Sequence, residues 1–387
     1  MEQDEVIAIH EAETGVLQMA PEMRVENPSD LSLAYTPGVA TMSKAIERDP
    51  SLKAKMTLSG KLIAVVTDGS AVLGLGNIGP AAGLPIVEGK ALLYKSLAGV
   101  DALPLAVEQV STEEFIRTIR NISLSFAGIH LEDIAAPQCF EIETSLEQLL
   151  DIPVYHDDQE GTAIVVLAAL INAAKVVGKR LSDLRVVING VGAGGIATGR
   201  LLYAAGVRKL TLVDIDGVVR PDSPACNSYQ IELAEQIGYD SGSGSLDEVI
   251  SGQDVFIGLS AANVLSGRQV RRMAADPIIF ALANPVPEIE PSVAREAGAA
   301  VIATGSSQHP NQVNNILAFP GLFKGLLECG LKRVDLKLEQ TVARALAHMV
   351  CDPAPEHIIP GVFDEGVVET VTQAIRAYVI DQNSNHI

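Results

Sequence analysis

Aromatic side chains are scarce: tryptophan is absent, and Phe, Trp and Tyr make up 4% of 387 residues against 48% hydrophobic overall. Cores must therefore be built from Ala, Val, Ile and Leu, and the 33 glycines suit the tight strand-to-helix turns of an α/β enzyme. Cysteine is sparse too. Cys139, Cys226, Cys329 and Cys351 stand far apart with no C-x-x-C pair, which excludes a disulfide framework or zinc ribbon and points to a reducing compartment. Positive charge is short: a formal charge of −20 argues against nucleic acid and anionic membranes as partners. It would also repel an anionic small molecule, so such a substrate needs a local cation or metal. No basic segment followed by an apolar run opens the chain, so no signal peptide is expected. The most apolar run, residues 161–177, carries Asn172 and Lys175 and reads as a buried core helix rather than a membrane span. A soluble cytoplasmic protein is expected.

The length suits two domains. Strand-like runs (61–67, 102–106, 126–131) alternate with helical segments, which implies parallel pairing. Further strands are expected at 185–190, 210–213, 255–258, 278–282 and 300–303. The expectation is an N-terminal α/β domain over residues 1–160 and a Rossmann-type domain with C-terminal helices over 161–387. Early helices are expected at Val6–Met19 and over residues 40–58.

Gly190-Val191-Gly192-Ala193-Gly194-Gly195 follows the apolar run RVVIN and precedes IATGRLLYAAG. A lone GxGxxG is weak, but here strand, loop and helix are followed by Asp214 at about the spacing of a ribose-binding acid. Such glycines let the backbone approach a pyrophosphate at a helix N-terminus, where Ile196 continues the loop. Asp214 would bond the ribose hydroxyls and repel a 2′-phosphate, favouring NAD, and Asp216 adds to that repulsion. Arg220 lies close enough in sequence to keep NADP open. Asn189 and Ser260, at strand ends, are expected to line the cofactor.

Two acidic groups stand out: Glu132-Asp133 after a strand, and Asp157-Asp158-Gln159-Glu160 before the helix that opens at Gly161-Thr162. Acids before a helix also serve its N-terminus with no further role. Both residues of an adjacent pair reach one ion only where a strand ends. Glu132, Asp133 and one carboxylate of the second group would suit Mg²⁺ or Mn²⁺. Lys90, in an apolar helix, either extends its charge to solvent or, beside a cation, acts as a base. Tyr35, before Pro37-Gly38, packs or takes part in chemistry; spacing alone does not separate these readings.

In order, LAYTPGVA, TDGSAVLGLGNIGP, VEGKALLYK, HLEDI, YHDDQEGTA, NGVGAGGIATG, FALANPVPE and NNILAFPG resemble the motifs of the malic enzyme family across residues 33–321. The resemblance implies an amino-acid-dehydrogenase-like N-terminal domain and oxidative decarboxylation of L-malate to pyruvate and CO₂ with NAD or NADP and Mg²⁺ or Mn²⁺. It further implies Glu132, Asp133 and Asp158 as metal ligands, Lys90 as general base, Asp157 as its partner and Tyr35 as general acid. Asn284 and Asn315 would contact the substrate carboxylates. Glu160 is left as a plain helix-start acid. Larger members carry an arginine where this chain reads Gly69-Ser70-Ala71-Val72, so the amides of Gly74 and Gly76 are expected to substitute in part. A homodimer is implied, in which Tyr35 can come from the neighbouring subunit. The alternatives are a malolactic-type enzyme releasing lactate and a non-catalytic nucleotide-binding protein of the same fold.

Overall fold

A computed structural model describes residues 3–12, 14–72, 74–239 and 242–384. Two sheets organise it. The first runs β2-β1-β3-β4, all parallel, from β1 (Leu62–Thr67), β2 (Asp101–Ala106), β3 (Gly128–Leu131) and β4 (Val154–His156). The second contains β5 (Arg185–Asn189), β6 (Lys209–Asp214), β7 (Gly217–Val218), β8 (Val255–Gly258), β9 (Ile278–Ala281) and β10 (Val301–Thr304). Its order is β10-β9-β8-β5-β6-β7, parallel except for the β6–β7 hairpin. The chain reverses direction across this sheet between β5 and β8, and ligands of such sheets bind at the carboxyl ends of strands beside that reversal. Strands with covered faces need apolar residues throughout, which is why Ile63–Val66 and Val186–Ile188 are continuous aliphatic runs without exposure.

The early helices differ from expectation. The first ends at Ala12, ahead of Gly15 with φ +101°, and the second is split into Gly38–Arg48 and Leu52–Met56. Asp49 turns extended immediately before Pro50, as residues preceding proline do. Helices Pro28–Ala34, Gly38–Arg48 and Leu52–Met56 bury no residue.

Helix Thr162–Val176, with the π-turn Asp157–Gly161 ahead of it, is apolar and long enough to cross a membrane, yet it lies mostly inside the protein. Its one buried amide, Asn172, donates to the carbonyls of Ala347 (2.8 Å) and Ile358 (3.0 Å), fastening it to helix Leu336–Met349. Helix Phe319–Cys329, which follows the second sheet in sequence, reaches back to the first. Gly128 in β3 lies so close to it that a Cβ would stand 2.6 Å from the Phe323 ring. Tyr94 meets Phe319 edge-on at 4.8 Å. The larger of two apolar clusters thus runs through both units, and a second packs on the other face of the second sheet.

Glu160 is not the plain helix-start acid expected. Its carboxylate accepts the His156 N–H at 2.8 Å and faces two buried glutamates, Glu143 on helix Gln138–Leu149 and Glu339 on helix Leu336–Met349. Burial raises all three carboxyls, Glu160 to about 7 and the others well above their ordinary value. A carboxyl raised in the folded state holds its proton after the unfolded chain has lost it. Stability from Glu160 is therefore full below its ordinary value of 4.5 and declines as pH rises to about 7, at about 1.4 kcal/mol per unit. Glu160→Gln keeps an acceptor for His156; it is expected to unfold at higher temperature than wild type at pH 8 and to flatten the decline, as calorimetry across pH 4.5–8 would show.

Candidate active site

The acidic groups meet because β3 and β4 are neighbours in register, Leu131 opposite His156, so the residues after each strand emerge side by side. Asp133 has φ +55°, which ends the extended run and lets Glu132 and Asp133 serve one spot. Carboxylate oxygens of Glu132, Asp133 and Asp158 lie within 4.8 Å of one another. Asp158 Oδ2 accepts the Asp133 N–H at 2.9 Å and stands 3.7 Å from His156 Nδ1. Among the described residues neither ring nitrogen of the fully buried His156 has a hydrogen-bond partner, and burial lowers its imidazole to about 3. Burial, then Glu132 and Asp133, push the Asp158 carboxyl well up. Three carboxylates crowded in one part-buried spot stay ionised together only beside a positive charge, so the donor set fits a hard divalent cation such as Mg²⁺ or Mn²⁺.

Lys90, on helix Gly79–Leu93, projects into the same place. Its ammonium pairs closely with Asp157, lies 3.2 Å from Glu132 Oε1, donates to Asn315 Oδ1 at 3.3 Å and sits 4.6 Å over the Phe319 ring. Burial opposes the charge, but Asp157 and Glu132 outweigh it and raise the lysine above its ordinary value. Asp157 is itself fixed, accepting the buried Tyr155 hydroxyl at 2.6 Å.

The glycine loop abuts this cluster. Gly190 has φ +100°, and a Cβ there would stand 2.5 Å from the Leu259 carbonyl; one on Gly195 would stand 2.0 Å from the Gly190 carbonyl. A Cβ on Gly194 would reach 3.1 Å from the Asp158 carbonyl, so helix Ala193–Ala204, opened by Gly192, starts against the acidic turn. Between them lies a cleft of about 320 Å³ lined by Ala71, Asp158, Thr162, Gly192, Gly194, Asn284 and Asn315, with no arginine among its described lining residues. Asp214 ends β6, and Gln230 Nε2 bridges it (2.6 Å) to the Val191 carbonyl (3.1 Å), tying the acid to the loop. Arg220 is paired with Asp222 at 2.6 Å. Asn189 Nδ2 donates to Ser260 Oγ at 2.7 Å, joining the ends of β5 and β8.

The described residues of 69–72 and 74–79 close one side. Ser70 Oγ accepts the Ala135 N–H at 2.8 Å, and the Ala71 N–H reaches the Asp133 carbonyl at 3.0 Å. Gly74, with φ +77°, approaches the Asn284 carbonyl so closely that a Cβ would stand 2.1 Å away. Its contact is thus with the second unit's backbone.

Two expectations change. Ile196 is no cofactor contact: its side chain is fully buried in the core and its N–H is used by the Gly192 carbonyl at 3.0 Å. Tyr35 stays outside the cleft lining, 66% exposed at the end of helix Pro28–Ala34. Sequence reasoning also missed Tyr94, His130, Tyr155 and Glu288. The fully buried Glu288 carboxylate accepts N–H groups of Ser260 (3.1 Å) and Ala283 (3.0 Å), holding together the two loops beyond β8 and β9. Spacing offered one signal: His130 and Glu132, two apart at a strand end, share a face.

Residues 15–147 match the family model described as malic enzyme, N-terminal domain, and residues 159–383 the malic enzyme, NAD binding domain. An NAD-dependent malic enzyme of Geobacillus stearothermophilus is 48% identical over 363 residues, 93% of this chain and 76% of the relative. A bifunctional malic/malolactic enzyme of Bacillus subtilis (strain 168) is 46% identical over 375 residues, 96% and 92% of the respective chains. The crystal structure of an NAD-dependent malic enzyme from Thermotoga maritima, 43% identical, superposes with a TM-score of 0.92 over 97% of this chain and 99% of its own. With its acidic cluster set between a catalytic lysine candidate and a dinucleotide loop, this chain belongs to the malic enzyme family.

Proposed function

We propose that the protein catalyses the oxidative decarboxylation of L-malate to pyruvate and CO₂, with NAD as hydride acceptor. The observation that carries this is Lys90 held between Asp157 and Glu132, beside the Asp133–Asp158 pair and one glycine loop away from the nucleotide unit. Glu132, Asp133 and Asp158 would hold Mg²⁺ or Mn²⁺, which supplies the positive charge that polarises the C2 oxygen and stabilises the enolate left by CO₂. Lys90 takes the C2 hydroxyl proton as malate is oxidised; a bound cation would offset the carboxylates that otherwise keep the lysine protonated, and a bound nicotinamide would be the hydride acceptor. Asp157, anchored by Tyr155, aims the lysine. Asn284 and Asn315, on the cleft wall, receive the malate carboxylates where an arginine is lacking. Asp214, held by Gln230, faces the adenosine ribose and disfavours a 2′-phosphate.

Tyr35 supplies the proton to C3 from the partner subunit of a homodimer. Its exposure, and three neighbouring helices that bury nothing within the chain, support this reading.

An assay with malate and Mn²⁺ tests the reaction: NADH and pyruvate should accumulate, with NAD preferred to NADP. Lactate without NADH would make the enzyme malolactic. Lys90→Ala should lose at least about 100-fold in kcat, the loss expected of a positioned general base, and Asp158→Asn should lose metal-dependent turnover, both while still binding NADH; near-normal turnover in either would overturn the assignment. For the shared site, Tyr35→Phe and Lys90→Ala proteins are unfolded together and refolded. If Tyr35 acts across the dimer, each mixed dimer holds one intact site, and activity returns to about a quarter of wild type. No recovery would place Tyr35 within its own subunit's site.

A further inference from the structure

Behind the cation site lies a buried chain that the reaction above does not use. Tyr94 and His130 are both fully buried, and the Tyr94 hydroxyl lies 2.8 Å from His130 Nδ1. His130 Nε2 lies 2.6 Å from Glu132 Oε2, while Glu132 Oε1 faces the Lys90 ammonium at 3.2 Å. An ionised carboxylate only accepts, so Nε2 carries the hydrogen. The phenol closes the chain by donating to Nδ1, which fixes the tautomer and rotation of the ring. Packing reinforces this: Tyr94 meets the imidazole edge-on at 5.6 Å, Phe319 at 5.8 Å, and Tyr155 lies 5.5 Å away. His130 also stands near Glu132 and Asp157 in a grouping that could hold a metal. Both of its nitrogens are already engaged, so it has no free lone pair for a cation.

We infer that His130, oriented by Tyr94, is a positioning residue that reserves Oε2 of Glu132 and leaves Oε1 alone to face the cation and Lys90. Glu132 then contributes one oxygen from a fixed direction. Without the histidine the carboxylate is free to rotate and to close both oxygens onto the Lys90 ammonium, which competes with the cation for the same group. Hydrogen-bonded partners behind a metal ligand typically set 10–100-fold in metal affinity.

This rests on the reading that Glu132 holds a divalent cation, and the test separates the two. Mn²⁺ is titrated into the full-length protein and the free ion followed by electron paramagnetic resonance, with NADH binding and thermal unfolding measured on the same samples. His130→Phe keeps the ring and removes the donor, and is expected to weaken Mn²⁺ binding about 10–100-fold with NADH affinity unchanged. His130→Gln, whose amide N–H can take the place of Nε2–H, is expected to recover most of that loss. Tyr94→Phe keeps the edge-on contact and frees the tautomer, with a loss of Mn²⁺ affinity smaller than that of His130→Phe; it carries the test should His130→Phe fail to fold. Mn²⁺ affinity within about twofold of wild type in the folded variants, or no recovery in His130→Gln relative to His130→Phe, overturns the positioning role. Failure of the wild-type protein to bind Mn²⁺ overturns the cation reading and this inference with it.

Discussion

The site depends on one electrostatic constraint. Four carboxylates, Glu132, Asp133, Asp157 and Asp158, are brought to one place by the pairing of β3 with β4, and the Lys90 ammonium reaches into them. Negative charge packed this closely away from water is costly unless each oxygen has a donor or a cation beside it. The surroundings supply those donors individually. Tyr155 holds Asp157, His130 holds Glu132, and the Asp133 amide holds Asp158. The cluster is thus a set of directed groups rather than a generally acidic patch, which suits chemistry that needs a proton acceptor and a cation at fixed positions.

Much of this was legible in the sequence where the signal is local. Strands read as aliphatic runs, and the glycine loop with Asp214 at its distance read as a nucleotide site, because turn geometry and strand burial act over a few residues. The pairs Glu132-Asp133 and Asp157-Asp158 were visible as oddities for the same reason. What stayed hidden was long-range. Glu160 looked like a helix-start acid because the glutamates that face it come from helices elsewhere in the chain. Ile196 looked like part of the loop, yet the helix turns it into the core. The exposure of Tyr35 has no local signature, since a partner surface and a packed surface carry the same residues.

The aromatic poverty of the chain acquires a use. Tyr94, Tyr155, Phe319 and Phe323 gather around His130 in one box directly behind Lys90 and Glu132. Aliphatic side chains fill the rest of the core adequately, but flat, stiff rings confine an imidazole in a way that branched aliphatics do not. Four of the fifteen aromatics meet at this one imidazole, where orientation matters.

Two of those rings, Phe319 and Phe323, lie on a helix made long after the first sheet, following the whole nucleotide-binding sheet in the chain. During synthesis, the first four strands therefore emerge with the back wall of their pocket missing, and Gly128 has no ring to pack against until the later helix arrives. A contact of such sequence separation closes late. The final geometry of the acidic cluster therefore requires helix Phe319–Cys329 as well as the first four strands, a wall supplied across a long stretch of sequence.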